Sequence, residues 1–139
     1  MNVVTKTISF STRGNTDIID ITDRVNEALI ESKLKEGLAT ISVIGSTGGL
    51  ATCEYEPGLI SDLKRVIEEL IPKNKSYAHD RGWGGGNAHS HLRASLFGPS
   101  LTFPFVNGEL LLGTWQQIIF IDFDTRARQR KVILQFLGV

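Results

Sequence analysis

Asn107-Gly108 stands between two apolar runs, Leu101 to Val106 and Glu109 to Leu112, and this arrangement leaves the chain few alternatives. Both residues tolerate the positive φ of a type I′ turn, so the runs are expected to fold back on each other as an antiparallel hairpin. His89 to Phe97 before the hairpin, and Gln116 to Phe123 and Lys131 to Leu137 after it, also read as strands, which makes the second half a meander. In the first half, Val3 to Phe10 and Leu38 to Ile44 read as strands, with Ser11 to Asp17 as a loop. Val25, Ala28 and Leu29 repeat at helical spacing, with Asp20 or Thr22 as N-cap and Gly37 as C-terminal cap. Between Pro57 and Pro72, residues Leu59, Leu63, Val66, Ile67 and Leu70 mark one face of a second helix. Lys73 to Asn87, with glycines flanking Trp83, reads as a long functional loop. The expected fold class is α+β: residues 1–139 form a single compact domain, mostly antiparallel β-sheets with two main helices in the first half.

Charge narrows the function. The 15 Lys+Arg balance the 15 Asp+Glu, and affinity for a phosphate backbone needs a surplus of cations, so a general nucleic-acid binder is excluded. The balance is uneven along the chain: residues 1–70 carry seven basic and eleven acidic side chains, and residues 71–139 carry eight and four. A polarised chain of this kind suits one cationic pocket for a small anionic ligand, unless folding mixes the charges again. The single cysteine, Cys53, has no intrachain partner, the opening MNVVTKTISF lacks the apolar run of a signal peptide, and no stretch is long enough to span a membrane. A cytoplasmic protein is the expectation.

All three histidines, His79, His89 and His91, fall within 13 residues. On a strand His89 and His91 would share a face with Cα atoms roughly 6.5–7 Å apart, close enough for one metal ion, with His79 arriving from the far end of the Gly-rich loop. Hydrogen-bonded surface histidines are the alternative. Asp80 and Glu54 are candidate carboxylate ligands or bases, or else solvated charges. Asn87 can orient an imidazole or bind substrate through its amide, although turn chemistry explains it equally. Gly45-Ser46-Thr47-Gly48-Gly49 presents hydroxyls and backbone N–H groups of the kind that cradle phosphate, without the Lys-Ser/Thr ending of a P-loop. Arg126, Arg128 and Arg130 alternate, with Lys131 beside them; they form either a guanidinium fork for an anion or a charged edge that blocks unwanted pairing. Trp115 reads as a packed strand residue, and Trp83 as a lid or interface contact.

Taken in order, these residues resemble the YjbQ-like proteins, also called the secondary thiamine-phosphate synthase family. The carriers are Ser46-Thr47-Gly48-Gly49-Leu50 with Glu54, Asp62, Pro72 and His79, Asn87-Ala-His89-Ser-His91, Ala94-Ser95-Leu96-Phe97-Gly98, Leu112-Gly113-Thr114-Trp115-Gln116, and Asp124 with Arg128 and Arg130. The resemblance implies a compact α+β homotrimer with a divalent metal, zinc or magnesium, at His79, His89 and His91. It also implies a polar pocket nearby; the residue chemistry adds Ser46, Thr47, Arg128 and Arg130 as binders of a small phosphorylated molecule there, with Glu54, Asp80 and Asn87 as candidate catalytic residues. Its activity would be a weak thiamine-phosphate synthase reaction, joining a pyrimidine methyl diphosphate to a thiazole phosphate with release of pyrophosphate. The alternative is a trimeric metal or metabolite binding protein without turnover. Two departures stand out: Gly45 occupies the place of a histidine found in many relatives, and Asp124-Thr-Arg-Ala-Arg128 replaces a shorter Asp-Gly-Pro-Arg pattern.

Overall fold

Charge-free β-branched and aromatic runs build the centre of the molecule. The computed structural model describes residues 1–83 and 85–139; Gly84 and the side chain of Trp83 lie outside what it describes. The elements run β1 (Asn2–Thr12), β2 (Asp17–Asp20), α1 (Thr22–Ser32), β3 (Glu36–Val43), β4 (Gly48–Cys53), α2 (Pro57–Leu70), α3 (Ala78–Trp83), α4 (Ala88–Phe97), β5 (Ser100–Val106), β6 (Glu109–Leu110), β7 (Gln117–Asp122) and β8 (Arg128–Gly138). Two antiparallel sheets result, one ordered β1-β8-β3-β5-β6 and the other β2-β7-β4.

β7 explains the layering. Its residues Ile118 to Asp122 are all buried, and successive side chains point to opposite faces. Ile118 and Phe120 join the core between the two sheets, where α1 also packs through Val25, Ala28 and Leu29. Ile119 and Ile121 join a second core, closed by Ile67 of α2 and Ala94 of α4. The small sheet is therefore sandwiched, which is why β7 reads as a continuous apolar run rather than an alternating one.

The expected hairpin exists: Val106 pairs with Glu109 across Asn107 and Gly108, both at positive φ. The expected meander does not, because β7 belongs to the small sheet and β8 inserts between β1 and β3. His89 to Phe97 is a correction of greater consequence. This segment is helix α4, not a strand. It contains no β-branched residue, and its buried positions, Ala88, His89, Ser90, Arg93 and Ala94, follow a helical rather than a period-two pattern. The segment read as a loop after Lys73 contains the short helix α3; the loop read over Ser11 to Asp17 is shorter, since β1 runs to Thr12 and β2 begins at Asp17. Around α1, the N-cap falls on Ile21 and the C-cap on Lys33 at φ 63°, while Gly37 lies inside β3.

Gly48 and Gly49 turn out to be packing residues rather than part of a phosphate cradle. A Cβ on Gly48 would lie 2.7 Å from Cζ of Phe120, and one on Gly49 would lie 2.9 Å from Cβ of Phe97. These two positions let β4 close on its neighbour's aromatic ring and let α4 lie against β4. Gly49→Ala is expected to lose about 1–3 kcal/mol of stability in a urea titration, since the added methyl pushes α4 outward.

Candidate functional site

β7 and β8 meet at a buried ion pair. Asp122 shares a face with Ile118 and Phe120, and Arg130 shares one with Val132, Leu134 and Phe136, so both charged side chains enter the space between the sheets. Asp122 is fully buried and Arg130 is 3% exposed. Arg130 donates from Nε to Asp122 Oδ2 at 2.7 Å and from Nη2 to Oδ1 at 2.8 Å. Thr12 Oγ1 donates to Oδ2 at 2.5 Å and the Asp124 N–H to Oδ1 at 2.9 Å, so four bonds satisfy the carboxylate. Arg130 Nη2 also donates to Thr47 Oγ1 at 2.8 Å, and Thr47 donates to Asp124 Oδ2 at 3.2 Å. Arg128 donates from Nη1 to the same Asp124 oxygen.

Above this network lies a polar pocket of about 370 Å³. The loop between β3 and β4 contributes Gly45, Ser46 and Thr47, β8 contributes Arg128, Arg130 and Lys131, and the start of α4 contributes Asn87 and His91. A Cβ on Gly45 would meet Arg130 Nη1 at 3.2 Å, so the missing side chain leaves that nitrogen uncovered toward the pocket. Gly45 has φ 132°, a conformation L-residues rarely adopt.

The histidines divide between two faces of α4. Asn87 bridges His79 and His91: its Oδ1 lies 3.2 Å from His79 Nε2 and its Nδ2 lies 3.3 Å from His91 Nε2. The two rings stand edge to face with centroids 5.0 Å apart. His89 lines a different cavity, because residues two apart on a helix do not share a face. Burial first, then the Arg93 and Lys73 cations, hold its imidazole below its ordinary value. Among the described residues no group of three His, Cys, Asp or Glu side chains converges. The two Nε2 atoms are linked only through the Asn87 amide, one to its oxygen and the other to its nitrogen; imidazole nitrogens as such suit zinc better than magnesium.

The remaining predicted residues disperse. Asp80 accepts from the Ala88 N–H at 2.9 Å and so caps the start of α4. Glu54 is exposed and lines a separate acidic groove with Asp20, Asp23 and Glu56, beside Trp115. Trp115 is 72% exposed, not packed, and Arg126 is exposed rather than part of a three-arginine face. Asp122 and Arg93 are the polar residues that sequence reasoning passed over. A carboxylate at the end of an otherwise apolar run was the available signal for Asp122, since a buried charge requires a partner.

A model described as UPF0047 protein YjbQ-like matches residues 6–139. The chain belongs to this family. A UPF0047 protein of Archaeoglobus fulgidus is 41% identical over 130 residues, covering 94% of this chain and 98% of that protein. YugU, the UPF0047 protein of Bacillus subtilis, is 33% identical over 134 residues, covering 96% and 98%. A crystal structure of a YbjQ-like protein of unknown function from Sulfolobus solfataricus superposes with a TM-score of 0.94 at 33% identity, over 99% of both chains. Membership of the YjbQ-like family and the α+β fold are therefore established. No helix among the described residues is long and apolar enough to cross a membrane.

The buried pair makes stability depend on pH. Burial opposes ionisation of Asp122, but the Arg130, Thr12 and Asp124 bonds outweigh it and hold the carboxyl below its ordinary 3.8. A carboxyl with a depressed folded value contributes its full stability above the unfolded value and loses it as pH falls through the folded one. Urea unfolding of the wild type is expected to show a loss below about pH 4. Asp122→Asn should be less stable by about 3–5 kcal/mol at pH 7, because Arg130 is left uncompensated, and should show a shallower acid dependence.

Proposed function

We propose that the polar pocket binds a small phosphorylated molecule, and that a weak thiamine-phosphate synthase reaction is the chemistry it can support. One observation carries this reading: Ser46, the uncovered Nη1 of Arg130, Arg128, Lys131 and the Asn87–His91 pair face the same pocket. Lys131 supplies an exposed cationic donor and the half-buried Arg128 a second one beside its bond to Asp124, whereas Arg130 is anchored by Asp122 and offers only its remaining nitrogen. Ser46 and the backbone around Gly45 complete an oxyanion surface.

In the reaction, the thiazole nitrogen attacks the pyrimidine methylene carbon. A C–N bond forms, the C–O bond to the diphosphate breaks, and pyrophosphate departs with the electron pair. The residues of this chain would stabilise the negative charge growing on the leaving oxygen and hold the two reactants together. His79 and His91 would hold a divalent metal once the Asn87 amide has moved from between them, and the metal when bound would supply further neutralisation of phosphate charge. His89 takes no part, because it faces the other side of α4. Asp80 positions α4 and Glu54 lies in a separate groove, so neither is given a catalytic role. The homotrimer implied by the family resemblance belongs to the same reading; the exposed Leu70, Leu92 and Leu96 form an apolar face available to it.

Calorimetric titration with inorganic pyrophosphate is expected to show saturable binding that weakens about 10- to 100-fold in Arg128→Ala, the loss of one charged hydrogen-bonding partner. Equal affinity in the two proteins would remove Arg128 from the site. With the two thiamine precursors as substrates, the same variant should lower the rate of product formation. Elemental analysis of protein purified without an affinity tag should give about one zinc-class ion per chain, lost in His91→Ala and retained in His89→Ala. Finding none in the wild type after incubation with zinc would take the metal out of the reading.

A further inference from the structure

The side of α4 that carries His89 faces a second polar cavity of about 400 Å³, which shares no lining residue with the polar pocket. Three observations converge there. First, cations outnumber anions: Lys64, Lys73 and Arg93 line it with a single carboxylate, Glu68. Glu68 is already engaged, accepting from Arg93 Nη2 at 2.5 Å and from the Lys73 N–H at 3.0 Å. Among the described residues neither lysine makes an ion pair.

Second, His89 lines the cavity, is 2% exposed, and its imidazole makes no hydrogen bond among the described residues. A buried polar side chain left in this state costs free energy that a bound group can restore. Third, the opposite wall is strained. Asn15 and Thr16 have φ of 53° and 64°, and a β-branched residue in that region is a backbone outlier. Thr16 is held there by Arg93 Nη1, 3.2 Å from its hydroxyl, and by its own N–H to the Asp122 carbonyl at 2.8 Å. Strain of this kind persists where the surroundings enforce it, and it gathers at binding sites.

We propose that this cavity is a second binding site, specific for a small oxyanion such as a phosphate group, held between the Lys64 and Lys73 ammonium groups and accepting a hydrogen bond from the His89 imidazole that lines it. A cation would be repelled by the two lysine ammonium groups, since Arg93 and Glu68 neutralise each other, and an apolar ligand would leave the His89 imidazole without a partner. The site is independent of the polar pocket in its contacts, yet its wall touches that pocket's support: Asn15 and Thr16 donate to the carbonyls of Asp124 and Asp122.

The test is an NMR titration of the full chain with inorganic phosphate at constant ionic strength, following the His89 imidazole and the Asn15 and Thr16 amides. Saturable shifts of these signals are expected in the wild type and unchanged in Arg128→Ala. The double variant Lys64→Ala/Lys73→Ala, which alters two exposed side chains, should weaken them at least tenfold. Absence of saturable shifts at these three residues, or shifts that persist unaltered in the lysine double variant, would overturn the proposal. So would shifts abolished by Arg128→Ala, which would assign all binding to the polar pocket. Failure of pyrophosphate to bind the polar pocket leaves this result unaffected.

Discussion

The pair of Asp122 and Arg130 ties the two sheets together and forms the floor of the polar pocket. Each charge has been taken out of water, at a cost that attraction alone does not repay, and an apolar pair of similar volume would hold the sheets as well or better. What an apolar pair would not do is orient Thr47 or direct a guanidinium nitrogen toward Gly45. Arg130 Cζ also lies 5.9 Å from the centroid of the Phe120 ring, which confines the guanidinium to one position. The pair is therefore best understood as a device for placement. Thr12 in β1, the β3–β4 loop and the β7–β8 turn all take their positions from it.

Sequence periodicity carried the reading where burial is one-sided. α2 was legible because Pro57 opens it and its apolar residues recur at 3, 4 and 7; α1 and the β5–β6 hairpin were legible for comparable local reasons. α4 was not, because His89-Ser90-His91 mimics alternation and the chain around it offers no strong cap: Asn87 makes no side-chain capping bond. β4 was hidden because it begins with two glycines, residues that weaken a strand unless close packing requires them, as it does here. The order of strands could not be read at all. Insertion of β8 between β1 and β3 is decided by pairings such as Gly37 with Gly138 and Val4 with Phe136, residues far apart in the chain.

The candidate site was legible as a composition and illegible as a geometry. Gly45 to Thr47, Asn87, His91, Arg128 and Arg130 do gather, whereas Glu54 and His89 go elsewhere. The opposite charges of the two halves separate only in part: Asp20, Asp23, Glu54 and Glu56 from the acidic half line one groove and Arg128 and Lys131 from the basic half border another, whereas Arg93 and Glu68 pair across the halves. A net charge of zero thus describes a surface with local patches of either sign. A basic patch attracts a small anion, with an effect that salt diminishes.

An amide has one accepting end and one donating end, and this gives the Asn87 bridge a logic of its own. With Oδ1 toward His79 and Nδ2 toward His91, the first imidazole must present a proton at Nε2 and the second a lone pair. The two rings are therefore held in different tautomers. Any ligand that needs both Nε2 lone pairs at once must first move Asn87 and shift the His79 proton to its other nitrogen.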